Sequence, residues 1–338
     1  MKEFIIVFAA SSFFFSCSNA DKVPDVSNIK INISSERFEK KLFDTSASSF
    51  TAYLQQLQTV APSFTGYYLN EILNADPNWP ADSTASYVNG FVKAYRNVYD
   101  SAEKLFSDFS PYENEIKKGL QFVKHYFQNY RLPEKIITYI GPADGYGDIL
   151  LSGESLIVGL HHHLGKHFQL YQTEMVQQIY PAYISSRFEP DYISVNCMKN
   201  IVNDISPAKE SDKSLVNQMV EKGKQLYLLS KFLPTTHEYK LIGYSQSQLK
   251  DCYDHEAVIW DLFVKNSLLQ TQDKNIIKNY VDEGPKTDGL GKGAPGNIGS
   301  FAGWQIVRKY MALNPAVTLQ QLVNLDNETI FQGAKYKP

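Results

Sequence analysis

Gly153-Glu154-Ser155-Leu156-Ile157-Val158-Gly159-Leu160-His161-His162-His163-Leu164-Gly165-Lys166-His167-Phe168 decides how the middle of the chain is read. The run between Glu154 and Gly159 has the length of a buried strand, and four of the seven histidines then fall within seven positions. A metal needs ligands that converge on one point, and His163 and His167, four apart, would share a face if this segment were helical. Between them stand Leu164, Gly165 and Lys166, so there is no HExxH glutamate and the glycine disfavours a continuous helix. The expectation is a strand end and loop whose histidines fill space or face solvent. A metal held by His163 and His167 is the alternative.

Working outward, Lys135-Ile136-Ile137-Thr138-Tyr139-Ile140 is β-branched and bounded by Pro133 and Gly141-Pro142. A turn cluster, Asp144-Gly145-Tyr146-Gly147, leads into Asp148–Leu151 and then Ser155–Leu160, which predicts a small central sheet. Upstream, Ile29–Ile33 alternates apolar and polar residues as a half-buried strand would. Helical spacing dominates elsewhere: Ser48–Val60, Ser63–Leu73, Ser83–Phe106 and Tyr112–Tyr130 before the sheet, the last after Ser110-Pro111. After it come Thr173–Phe188, Asp191–Ile205, Lys213–Leu229, Ser247–Leu269, Asp273–Val281 and Ile298–Met311. On Ser247–Leu269 a broad stripe of Leu249, Cys252, Tyr253, Val258, Ile259, Trp260 and Phe263 is read as buried, with Ser245 or Ser247 as cap. The predicted fold is α+β, a mostly helical single domain with a small central β-sheet, running from residue 29 to 338.

With 338 residues, 43% of them hydrophobic and 13% aromatic, the chain has ample material for a core. A formal charge of −3 and no basic cluster interleaved with aromatics argue against nucleic acid as a partner. Met1-Lys2-Glu3, the apolar or small run Phe4–Phe15 and then Ser16-Cys17 have the order of an export signal and are too short to span a bilayer permanently. The Ser-Cys ending resembles a lipobox, which implies a signal peptide over 1–16, lipidation of Cys17 and a tether over 17–28. Cys197 and Cys252 fall inside predicted helices at no zinc spacing and are read as buried thiols, an export compartment leaving a disulfide as the alternative.

Gly291, Gly293 and Gly296 satisfy G-x-G-x-x-G, but the segment before them is a predicted helix and Pro285, where that fingerprint needs a strand. Lys292 is followed by Gly293, so a Walker A loop fails as well. Gly284–Gly299 is therefore read as a long exposed loop that orders on a partner, and no cofactor is implied. Gly299 and Gly303, four apart on the next helix, would let another backbone approach closely. In Asp254-His255-Glu256 consecutive helical positions diverge, and Glu256 reads as a buried partner for a basic or amide group. No catalytic residue emerges.

Several stretches together carry a resemblance: Phe15-Ser16-Cys17, Pro24–Ser27, Arg37–Phe43, Ile157–Leu160 with Leu164-Gly165, Gly243-Tyr244-Ser245 with Gln248-Leu249, Glu256–Trp260, Pro295–Met311 and the closing Tyr336-Lys337-Pro338. Jointly they are similar to the GldB gliding-motility lipoproteins of Bacteroidota, over nearly the whole chain. The resemblance implies a non-enzymatic lipoprotein of the cell envelope, facing the periplasm, with other envelope or motility-machinery proteins as partners. It also implies a distantly zincin-like order of elements, in which Tyr192–Asn200 takes the place of the HExxH helix without a ligand pair. Two further readings stand beside it: an exported zincin-like hydrolase with an atypical site, and a peptidoglycan or glycan binder using some of the 22 tyrosines.

Overall fold

The computed structural model describes residues 23–338 apart from 46–48, 61, 144–148, 209–212 and 292. Cys17, the signal peptide read over 1–16, the first part of the tether and the turn at 144–147 lie outside the described residues.

Four strands form one mixed sheet in the order β1 (Ser34–Arg37), β2 (Lys135–Tyr139), β4 (Ser155–Gly159), β3 (Ile149–Ser152). β1, β2 and β4 run parallel, with Ser34 opposite Lys135 and Lys135 opposite Ser155, while β3 returns antiparallel along β4. Gly153 makes that return at φ +56, which favours glycine. β2 and β4 are buried along almost their whole length, as parallel strands covered on both faces must be. The predicted strands at 135–140, 148–151 and 155–160 thus correspond to β2, β3 and β4. The predicted strand at Ile29–Ile33 does not form, and β1 begins one residue later. Its alternation is still real, since Ile33 is buried while Lys30 and Asn32 are exposed. A side-chain amide replaces the ladder: Gln121 Nε2 donates to the Ile29 carbonyl at 2.8 Å.

The helical half before the sheet comprises α1 (Phe38–Phe43), α2 (Phe50–Val60), α3 (Pro62–Tyr67), a π-turn at Tyr68–Ile72, α4 (Ala81–Ala94), α5 (Arg96–Leu105) and α6 (Ser110–Tyr126). The predicted single helix Ser83–Phe106 is two, broken at Tyr95, whose ring stacks on Phe91 and whose hydroxyl accepts the Ala143 N–H at 3.1 Å. That tie joins residues nearly fifty positions apart, which periodicity does not register.

Beyond the sheet follow α7 (Glu174–Ile179), α8 (Ala182–Ser185), α9 (Ile193–Ile205), α10 (Leu215–Phe232), α11 (Glu238–Ile242), α12 (Gln246–Asp254), α13 (Glu256–Lys265), α14 (Lys274–Val281), α15 (Ile298–Leu313), α16 (Leu319–Asn324) and α17 (Asn327–Ala334). The predicted helix Thr173–Phe188 divides at Pro181, which has no N–H to give and excludes the turn before it. Ser247–Leu269 divides at His255, and Ser245 opens α12 with a capping box to Gln248. The break resets the register, so Ile259 and Phe263 face the core, Trp260 is half-buried and Val258, expected inside, is 56% exposed. α16 and α17 have no counterpart among the predicted helices; each is short and opened by a side-chain cap, from Thr318 and Asp326.

α15 is buried from Ile298 to Val307 and lies against α10 with no side chain between the backbones. A Cβ on Gly303 would sit 1.7 Å from the Met219 carbonyl oxygen, and one on Gly223 would sit 2.2 Å from that of Gly303. Close contacts pair Met219 with Gly299 and Gly303, then Gly223 with Gly303 and Trp304, so the two helices run in the same direction. The close approach expected from Gly299 and Gly303 is present, and α10 is what approaches. The sheet rests on α9 and α1, and one main core links both halves.

Candidate functional site

At the N-terminal end of α15 two segments far apart in sequence clasp each other. α11 ends on Gly243 at φ 84, and the turn carries Tyr244 inward and Ser245 to the cap of α12. The buried Tyr244 hydroxyl lies 3.0 Å from the carbonyl oxygens of both Gly296 and Asn297. Gly296 in turn lies on Gly284, where a Cβ would come within 2.2 Å of the Gly284 oxygen, and the Thr287 hydroxyl donates to the Pro295 carbonyl at 2.6 Å. The glycine-rich segment is therefore not an exposed loop throughout. Its base is buried at Thr287, Pro295 and Gly296, while Asp288, Gly289, Gly291 and Gly293 are exposed. Glycines at contact points with backbone, which sequence cannot tell from glycines that confer mobility, account for the difference.

This clasp walls one side of a cleft of about 620 Å³. Its rim carries charges in pairs: Arg187 with Glu283 in a bidentate bridge at 2.8 and 2.5 Å, Lys240 with Asp191, and Lys166 with Glu189 at 3.6 Å. Burial would raise the Glu283 carboxyl, and the Arg187 hydrogen bonds and charge outweigh it and hold the group below the usual range. Arg187 also fills the place a side chain at 243 would need, its Nη1 standing 2.5 Å from where a Cβ on Gly243 would be. Tyr183, Tyr192 and Tyr239 add rings whose edges can meet either water or a docked chain. Balanced, internally paired charge with aromatic walls suits recognition of a polypeptide segment, in which rim pairs orient a partner more than they hold it.

The histidines lie elsewhere. His161, His162 and His163 are fully buried, whereas His167 is exposed. His162 stacks on Phe188 with ring centres 4.7 Å apart, and the His163 Nδ1 lies 3.1 Å from the Glu189 carbonyl oxygen. The Gly141 N–H donates to His161 Nδ1 at 3.1 Å, which places the proton of a neutral ring on Nε2. Burial, reinforced by His163, pushes the His161 pKa down to about 3. The trio fills space and His167 faces solvent. Among the described residues no group of three or more His, Cys, Asp or Glu is placed to hold a metal ion.

Cys197, on α9, and Cys252, on α12, are buried and are not joined in a disulfide. On α9, Ser194, Val195, Cys197 and Met198 face inward, a packing surface in the stretch where the zincin comparison would put its ligands. Arg37 and Glu39 form a buried ion pair, which Thr138 joins by donating to Glu39 at 2.7 Å, and Arg37 reaches the Phe106 carbonyl at 2.5 Å. These charges tie β1 and α1 to the sheet and to α5. Glu256 accepts from the Tyr336 hydroxyl at 2.5 Å, a phenol where a basic or amide group was expected. The sequence singles out Gly243-Tyr244-Ser245 and Pro295–Asn297 separately and gives no sign of Arg187 and Glu283 as cleft residues. Nothing in their spacing marks them, since they stand 96 positions apart.

No helix among the described residues is long and apolar enough to cross a membrane. A family model described as gliding motility protein GldB matches residues 19–338. No match was found among curated proteins or among solved structures.

Proposed function

Since the chain belongs to the family of the gliding motility protein GldB, we propose that it is a lipid-anchored component of the cell envelope, facing the periplasm, that serves gliding motility or the associated surface and secretion machinery through protein contacts. Cys17, acylated after removal of 1–16, supplies the anchor, and no later described helix is long and apolar enough to cross a membrane. One observation carries the assignment of the contact surface: the turn at Tyr244 and the segment Pro295–Asn297, two of the stretches that carry the family resemblance, meet at 3.0 Å on the wall of the cleft. A photo-crosslinker in place of Gln246, exposed on the cleft rim, should trap an envelope protein in living cells. Lys240→Glu, which turns one rim pair repulsive, should lower both that yield and colony spreading at unchanged protein level. Full spreading and secretion with Lys240→Glu would overturn the cleft as the contact surface. Cys17→Ala should move the protein out of the membrane fraction, and retention there with normal processing would overturn the anchor.

A second reading, glycan binding, is favoured by one feature. Trp79 and Tyr87, 39% and 43% exposed, meet edge to face at 5.3 Å beside Asp82, Ser83 and Ser86, a ring platform bordered by hydroxyls and a carboxylate. Sedimentation with purified peptidoglycan, abolished by Trp79→Ala, would establish it.

A further inference from the structure

At the opposite end of α15 from the cleft, the chain leaves the helix through Ala312-Leu313-Asn314-Pro315-Ala316-Val317, six residues without a charge. Ala312, Leu313, Pro315 and Ala316 are exposed, Leu313 at 53%. Water-facing apolar residues scattered singly need no explanation, but a run of them beside a chain entry point does. Val23, 50% exposed, and Pro24 line the same hollow as Ala312, Pro315, Ala316 and Val317, and Val26 is fully buried, which fixes the entry point in the fold. Cys17 precedes Val23 by six residues, and an extended chain covers roughly 3.5 Å per residue, so the tether reaches no farther than about 21 Å from Val23. Lys309, exposed one turn before Leu313, and Lys231 at the edge of the hollow place positive charge beside the apolar surface.

We infer that this face is a membrane-contact surface: Val23 and the segment Ala312–Val317, the last two residues of α15 and the turn after it, seat against the bilayer that holds the Cys17 lipid, with the lysines at the level of anionic headgroups. The inference rests on the anchor proposed above. It fixes an orientation as well as a site. α15 has sixteen residues and at 1.5 Å per residue is about 24 Å long, so the cleft at its N-terminal end points away from the bilayer and toward soluble partners.

The test uses the full-length acylated protein in vesicles of phosphatidylethanolamine and phosphatidylglycerol. Leu313→Cys and Asp288→Cys, both at exposed positions, each carry an environment-sensitive fluorophore; Cys197 and Cys252 are buried and Cys17 is blocked by acylation. A nitroxide carried on the lipid should quench the label at 313 at least threefold more than the label at 288, and iodide in the water should show the reverse order. If the protein floats with the vesicles while both labels respond alike, the contact surface is wrong and the anchor stands, including the case in which a protein covers that segment in native envelopes. If the protein does not float with the vesicles, the anchor fails and this inference with it.

Discussion

Single residues in this molecule act mainly by what they exclude. Gly303→Ala puts a methyl group 1.7 Å from the Met219 oxygen on α10, where only movement of a core helix could relieve it. A loss of more than about 3 kcal/mol is expected in urea titrations, at or beyond the upper end of overpacking costs. Gly90→Ala on α4, with nothing within 4 Å, should instead gain about 0.5–1 kcal/mol through helix propensity. Equal effects would refute the close crossing. His161 gives a pH signature. Its folded-state pKa of about 3 lies below the ordinary 6.5, so its contribution is complete above 6.5 and is lost as the pH falls toward 3. The loss runs at up to about 1.4 kcal/mol per pH unit. His161→Gln should flatten the fall in stability between pH 6.5 and 4.5, and parallel falls in the two proteins would show that His161 is not the group responsible. The spacing of Gly299 and Gly303 made close packing legible in the sequence, but the partner Gly223 was not, because a contact between helices leaves no periodic trace in either.

Elements were legible where their signal is local. β2 and β4 follow from apolar runs with turn residues at their ends, and α14 and α15 from helical spacing. The breaks at Tyr95 and His255 were not, since a kinked pair and one long helix share nearly the same apolar pattern and differ in what lies across the core. The break at His255 changes the forecast for Trp260. Half-buried, and meeting Tyr336 edge to face at 4.9 Å, Trp260→Ala should cost about 2 kcal/mol, below the 3–5 kcal/mol typical of a fully buried tryptophan. Tyr336→Phe, which removes the hydrogen bond to Glu256, should cost about 1 kcal/mol. Chemical denaturation of both variants checks this, and a loss above 3 kcal/mol for Trp260→Ala would put the ring in the core after all. The glycine-rich segment divides likewise. Removing Gly289–Gly293 should leave the melting temperature within about 2 °C, because long surface loops cost little closure entropy. Removing Pro295-Gly296 as well takes away the acceptors of Thr287 and Tyr244 and should destabilise strongly. If the two deletions melt alike, the base of the segment is not clasped.

At the scale of the whole molecule, the mostly helical α+β class was readable because helical spacing fills most of the chain and the strand signals cluster in its middle. The cleft was not, since its walls come from three separated regions that only the fold assembles. β1 belongs to that fold in a way that matters before the native state exists. Its parallel partner β2 lies about 100 residues downstream, and the whole helical half intervenes. A chain emerging from its N-terminus must therefore hold Ser34–Arg37 unpaired until residue 139 has emerged, and pairing so distant in sequence is slow. In pulsed hydrogen exchange during refolding, amides of α10 and α15 should gain protection before those of β1, and simultaneous protection would show a single concerted step. Until that strand closes, its open edge can recruit a neighbouring chain, so the protein is most open to misassembly during the time its own sequence takes to arrive.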